Sequence, residues 1–300
     1  MNVSAVPVRD PHFVRGVVLV LLAGFCWSLG GVAIRHIEAA SVWQINLYRS
    51  STLALTLTLV LVLRHRGAVI HAFRAIGLTG VVAGFFIAAS NICFIYALTH
   101  TTVANTVFIL AAQPFFAAAL GWLVLREAVR RATWIAMVAG FAGVAAMVGE
   151  GIGTGRLAGN LIALGAALGF AAFTVALRRG REVDMAPAVC LGGMFVALAA
   201  ALMVEQIAIT PRDLGLCVFM GTIQIGLGLL LFTLGSRFLP AAELAILALV
   251  EVILAPLWVW IVVGEVPSLM TFFGGAVVLS AVVTNALTGM RRKRPPVGMV

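Results

Sequence analysis

Glu251 stands inside the apolar stretch 241–263, about ten residues from its start, which at 1.5 Å per residue is about 15 Å along a helix. An ionised group at such a depth in lipid costs roughly 2.5–3.5 kcal/mol on insertion scales, so it asks for a reason. One reason is a ligand or a proton held near mid-membrane. The other is a structural acid, protonated or paired with a neighbouring helix. Setting Pro240–Glu265 on Thr102–Glu127 places Glu251 on Gln113, Trp260 on Trp122 and Glu265 on Glu127. Each of the two polar residues has a proline nearby: Pro114 follows Gln113, and Pro256 comes little more than a turn after Glu251. A proline inside a helix frees a carbonyl one turn back, so both places gain polar backbone beside a polar side chain.

Further polar and aromatic residues fall at similar depth. They are Trp27 and Ser28, then Ser90, Asn91 and Phe94, then Gln224, and Trp258, which shares a helical face with Glu251. Together they would line a cavity with hydrogen-bonding groups, one negative charge and aromatic walls. Such a cavity suits a small amphipathic zwitterion whose ammonium meets Glu251 or an aromatic face. Interhelical packing is the competing reading for each residue taken alone. Arg49 lies within the apolar stretch 42–64 and can snorkel, pair structurally or meet a substrate carboxylate. Glu243 lies near a span end and reads as gating or structural, as do Pro114 and Pro256.

Catalytic constellations are missing from the sequence. His12, His36, His65, His71 and His100 fall at span ends or in loops without metal-ligand spacing, and Asp10, Asp184 and Asp213 read as loop residues. Cys26, Cys93, Cys190 and Cys217 show no CxxC spacing and read as small apolar packing residues. Gly149–Gly155 is glycine-rich, yet no Lys-Ser/Thr follows it, so it reads as a flexible linker and not as a phosphate loop. No metal or cofactor is expected.

The elements that must hold these residues follow from composition. With 62% hydrophobic and 10% charged residues, the chain is no soluble globular domain, where charge is near a quarter. Ten stretches are long and apolar enough to span: 15–36, 42–64, 75–98, 102–125, 133–149, 157–178, 187–207, 213–236, 241–263 and 268–288. Two-residue alternation is absent, so the spans are helical and the fold class is all-α. The first stretch has no Ala-x-Ala-type exit and reads as a retained signal anchor.

The net charge of +9 does not signal nucleic acid, because of where the charges lie. With a cytoplasmic N-terminus, the clusters Arg64/Arg66/Arg74, Arg126/Arg130/Arg131, Arg178/Arg179/Arg181 and Arg291–Arg294 share one side. Arg35, Arg156 and Arg212 fall on the other. That asymmetry predicts both termini inside, with the basic tail as a topology anchor. The predicted units are a first five-helix repeat over 1–150, a linker at 151–156, a second repeat over 157–288 and a tail at 289–300. Five is odd, so the second repeat must lie inverted in the membrane, an arrangement used for alternating access about a mid-membrane site.

The segment Tyr96-Ala97-Leu98, Thr101-Thr102-Val103-Ala104, Pro114 and Glu127 resembles the signature of the EamA-like drug/metabolite transporters. So does the second copy, with Glu251, Pro256-Leu257 and Gly264-Glu265, while Arg49 resembles an arginine this family often carries in helix two. The resemblance covers Arg15 to Leu287, and it departs at Arg126-Glu127, where the family usually has Gly-Glu. It implies ten helices, both termini inside, and a cavity lined by helices one, three, four, six, eight and nine. Aromatic and neutral amino acid exporters of the family are most similar in size and topology. The expectation is therefore a monomeric, non-enzymatic exporter of small amphipathic metabolites, amino acids first, in a bacterial-type cytoplasmic membrane. Uptake of a sugar, nucleoside or conjugate is the alternative, followed by a membrane enzyme or a scaffold.

Overall fold

The computed structural model describes residues 11–65, 68–180, 182–239 and 241–291. The helices run in the order α1 (Pro11–Ser28), α2 (Gly30–Arg35), α3 (Val42–His65), α4 (Val69–Ala75), α5 (Gly77–His100), α6 (Val103–Leu110) and α7 (Gln113–Leu125). There follow α8 (Arg131–Thr154), α9 (Leu157–Arg179), α10 (Ala186–Met203), α11 (Pro211–Phe219), a π-helical segment Met220–Leu227, α12 (Gly228–Ser236), α13 (Ala241–Val263) and α14 (Leu269–Arg291). These make ten candidate membrane spans, as the apolar stretches predict. Among the described residues there is no strand.

Three spans are interrupted. Span one breaks at Leu29 between α1 and α2, span four breaks at Ala111–Ala112 between α6 and α7, and span eight passes through the π-helical segment. Pro114 supplies the break in span four, since it sits in the first turn of α7 where its missing N–H costs nothing. Pro256, by contrast, stays inside an unbroken α13. The glycine-rich connection differs in extent from the sequence reading. α8 continues through Gly149–Thr154, and Gly155 at φ 72° caps it. Helical hydrogen bonds satisfy this backbone where a flexible linker would leave it open. Only Gly155 and Arg156 then join α8 to α9.

Packing follows a rule in span numbers. Span three packs on six and one on eight; three packs on seven and two on eight; one packs on nine and six on four; two packs on seven and five on ten. Adding five to each number, and counting on past ten, turns each of the first six pairs into another of the set and returns the last two, two with seven and five with ten, to themselves. At the contact between spans five and ten, a Cβ on Gly143 would lie 2.7 Å from the Gly274 carbonyl, and one on Gly274 would lie 2.7 Å from the Gly143 carbonyl. Backbones meet there without side chains between them, as small residues allow in lipid.

Candidate functional site

Span one runs between spans eight and nine and collects most of the expected site residues. Gly24 faces α13 with its missing Cβ 3.6 Å from the Glu251 backbone nitrogen. One turn on, Trp258 Nε1 donates to Ser28 Oγ at 3.1 Å, while Phe25 packs edge-on against the Trp258 ring. On the other flank, Gln224 Nε2 donates to the Trp27 carbonyl at 3.0 Å, next to the break in span one. The Trp27 ring lies against Phe232, with centroids 5.3 Å apart, and fills the space a Cβ on Gly228 would need. Gln224 thus supplies from a π-helical turn a donor for backbone that the interrupted helix exposes, a combination frequent at functional sites.

Glu251 itself is half-buried in mid-helix, and among the described residues its carboxylate has neither hydrogen bond nor ion pair. Gln113 starts α7 immediately after the break in span four, half-buried, with Pro114 exposed beside it. No hydrogen bond joins Gln113 to Glu251, and where α13 meets span four it packs on α6, the half before the break. The Glu243 side chain lies outside the described residues.

Arg49 and Asn91 come together in a second group between α3 and α5. Arg49 is 2% exposed. Its Nη1 and Nη2 share one acceptor, Asn91 Oδ1, at 3.4 and 3.3 Å, and its Nε has no partner. Nearby on α3, Asn46 Oδ1 is likewise buried and unpartnered. No carboxylate lies within ion-pair distance of Arg49 among the described residues. At 2% exposure the guanidinium does not reach the membrane surface, so snorkelling does not describe this residue. Phe94 packs half-buried against the apolar cluster of Ile45, Ile95, Cys217 and Val259. An apolar groove of about 540 Å³ between α8 and α14 opens outward and touches none of these residues.

Sequence reading missed Asp213. It is not a loop residue but part of the first turn of α11, fully buried, where its carboxylate accepts the N–H groups of Glu38, Ala39 and Ala40 at 3.0–3.1 Å. Thr210 caps the same helix by accepting the Asp213 N–H at 3.1 Å. The signal was present as Thr210-Pro211-Arg212-Asp213, a Thr-x-x-acid capping pattern with Pro in first position. Reading it would have placed the start of span eight two residues earlier than 213, as found.

The departure at Arg126 also has a geometric answer. Arg126 adopts φ 55° after α7, as Gly264 adopts φ 75° after α13, so the two turns match in backbone although they differ in residue. Two turns of one shape, each followed by a glutamate, close spans four and nine.

The EamA-like transporter family model matches residues 14–149 and 157–287, nearly the whole chain in two stretches divided where α8 gives way to α9. This chain belongs to the EamA-like transporter family. It is 28% identical over 207 residues to the uncharacterized transporter YwfM of Bacillus subtilis, covering 67% of this chain and 70% of that one. It is 23% identical over 280 residues to the pseudopaline exporter CntI of Pseudomonas aeruginosa, covering 91% and 96%. A solved crystal structure at 16% identity superposes with a TM-score of 0.63 over 93% of this chain and 99% of its own, which establishes a shared fold. The chain is thus a multi-pass membrane transporter of this family.

Proposed function

We propose that this EamA-family transporter exports small amphipathic metabolites, amino acids with aromatic or neutral side chains first, by alternating access. It works as a monomer without cofactor or catalytic step. Both termini lie in the cytoplasm of a bacterial-type inner membrane, and two inverted five-helix repeats rock about a mid-membrane site. The observation that carries the reading is Glu251, an acid in mid-span without a partner among the described residues, in a bundle where spans one, four and eight are interrupted. Interrupted helices supply free backbone dipoles at the centre of transporters, where substrates bind. The packing pairs that interchange when five is added to each span number support the paired repeats. Glu251 takes the substrate ammonium, Trp27, Phe94 and Trp258 supply apolar walls, and Gln113, Asn91 and Gln224 supply hydrogen bonds. An exporter among the relatives supports the direction.

The test is flux of labelled aromatic, branched and sulfur-containing amino acids in proteoliposomes of the purified protein. Saturable flux that falls in Glu251→Gln and Trp27→Ala is the expected result. Folded protein that moves no amino acid overturns the substrate assignment. Equal flux at all imposed pH gradients together with full activity of Glu251→Gln removes a proton-carrying role.

A further inference from the structure

Two arginine–glutamate pairs occupy matched places in the two halves of the chain. Arg35 closes α2 at the end of span one and pairs with Glu265, just beyond α13 at the end of span nine. Arg178 stands in the last turn of α9 at the end of span six and pairs with Glu127, just beyond α7 at the end of span four. Glu127 and Glu265 are equivalent in the repeated segment. Spans one and nine are odd and spans four and six even, so ten successive crossings place the two pairs at opposite membrane faces.

The pairs differ in what else they hold. Arg35 Nε donates to Glu265 Oε2 at 2.7 Å, and its two terminal nitrogens donate to the carbonyls of Leu98 at 2.5 Å and Thr101 at 2.8 Å. Glu265 Oε1 accepts the Val103 N–H at 2.7 Å. The pair therefore grips the turn between spans three and four, satisfying carbonyls at the end of α5 and an N–H at the start of α6 that the helices leave unpaired. The same end is reinforced by Asn160, which accepts from Thr101 Oγ1 at 2.6 Å and donates to the Met147 carbonyl at 3.0 Å.

Among the described residues Arg178 makes one bond, Nη1 to Glu127 Oε2 at 2.9 Å. The equivalents of Leu98 and Thr101 in the second half are Ser236 and Leu239, between spans eight and nine, and Arg178 bonds to neither. Side-chain exposure follows suit: 21% and 20% for Arg35 and Glu265, against 47% and 48% for Arg178 and Glu127. An exposed ion pair alone holds little, whereas a charged fork on helix ends holds firmly.

We propose that Arg35–Glu265 and Arg178–Glu127 are the two latches of the transport cycle. Each grips the facing interhelical turn while its membrane face is closed and lets go when that face opens. In this structure the Arg35 latch is shut and the Arg178 latch is released. The inference rests on the alternating-access reading, and it assigns to that cycle four residues outside the substrate site.

Spin-label distances read both faces without any substrate. In a background lacking Cys26, Cys93, Cys190 and Cys217, labels at exposed His100 and Val266 report on the Arg35 face, and labels at exposed Ala128 and Arg237 on the Arg178 face. The parent protein is expected to be short at the first pair and long at the second. Glu265→Gln is expected to raise the long His100–Val266 population severalfold and to shorten Ala128–Arg237. Adding Glu127→Gln at its exposed site is expected to abolish that shortening. Should Glu265→Gln fail to fold, Arg35→Lys keeps the charge but loses the fork, and it must act in the same direction. Distances that stay put in these variants overturn the latch. Distances that move while no amino acid is transported keep the latch and overturn only the substrate assignment.

Discussion

Replacing Arg49 by methionine tests the energetics of the buried cation. The guanidinium is 2% exposed, has no carboxylate partner among the described residues and carries an unpartnered Nε. Removing a charge from that depth returns roughly 2.5–3.5 kcal/mol on insertion scales. What is lost is the contact with Asn91 Oδ1, a single acceptor shared at 3.3 and 3.4 Å. A good hydrogen bond to a charged group contributes about 1.5–3 kcal/mol, and two long ones on one oxygen lie near the low end of that range. Methionine is a little smaller, but volume-conserving changes usually cost under about 1.5 kcal/mol. The balance leaves Arg49→Met near neutral or more stable by about 1 kcal/mol, as for buried charges replaced by apolar groups elsewhere. Unfolding in mixed micelles, followed by tryptophan fluorescence, measures it. A loss of more than about 2 kcal/mol refutes the reasoning, because it would mean the guanidinium is paid for by a partner the geometry lacks. Flux in the same variant separates roles: a stable protein that no longer transports keeps this cation for the substrate carboxylate.

Other outcomes are expected from single contacts. Gly143→Ala would set a methyl 2.7 Å from the Gly274 carbonyl, where backbone cannot yield, and should cost about 1–3 kcal/mol of stability in the same unfolding assay. Asn160→Ala removes a second donor to the Met147 carbonyl and the acceptor for Thr101 and Asn105. It should lower stability by about 1–3 kcal/mol, whereas no change would show the network to be idle. Arg126→Gly relieves a non-glycine residue at φ 55° and should raise stability by about 1 kcal/mol, with circular dichroism melts as the check. Gly228→Ala drives a methyl into the Trp27 indole, 2.4 Å from Nε1, and should reduce flux while the thermal midpoint of the purified protein stays within a few degrees.

Much of the architecture was legible because lipid removes alternatives. Ten apolar stretches could only be helices, since backbone polar groups have no water to bond in a bilayer. The match of Gln113 and Trp122 with Glu251 and Trp260 is a likeness between the two halves that the amino acids alone display. Some features were legible in principle and went unread, such as the capping pattern Thr210–Asp213. Apolar runs do not record where a helix is interrupted. Leu29 is an ordinary helix former in sequence, yet span one breaks there, whereas the break in span four has its mark in Pro114.

What the sequence determined alone is the set of costly residues and their depth, because each charge inside an apolar run is visible from its neighbours. It marked Glu251, Arg49 and the paired glutamates Glu127 and Glu265. Tertiary structure decided their partners. Arg35 and Glu265 are separated by 230 positions, yet they meet, while among the described residues the Glu251 carboxylate has no polar partner and the Arg49 guanidinium a single amide oxygen. Whether a buried charge is a strut or a waiting site depends on which helices lie beside it. That adjacency is fixed by long-range packing of small residues, which leaves no local trace in the order of amino acids.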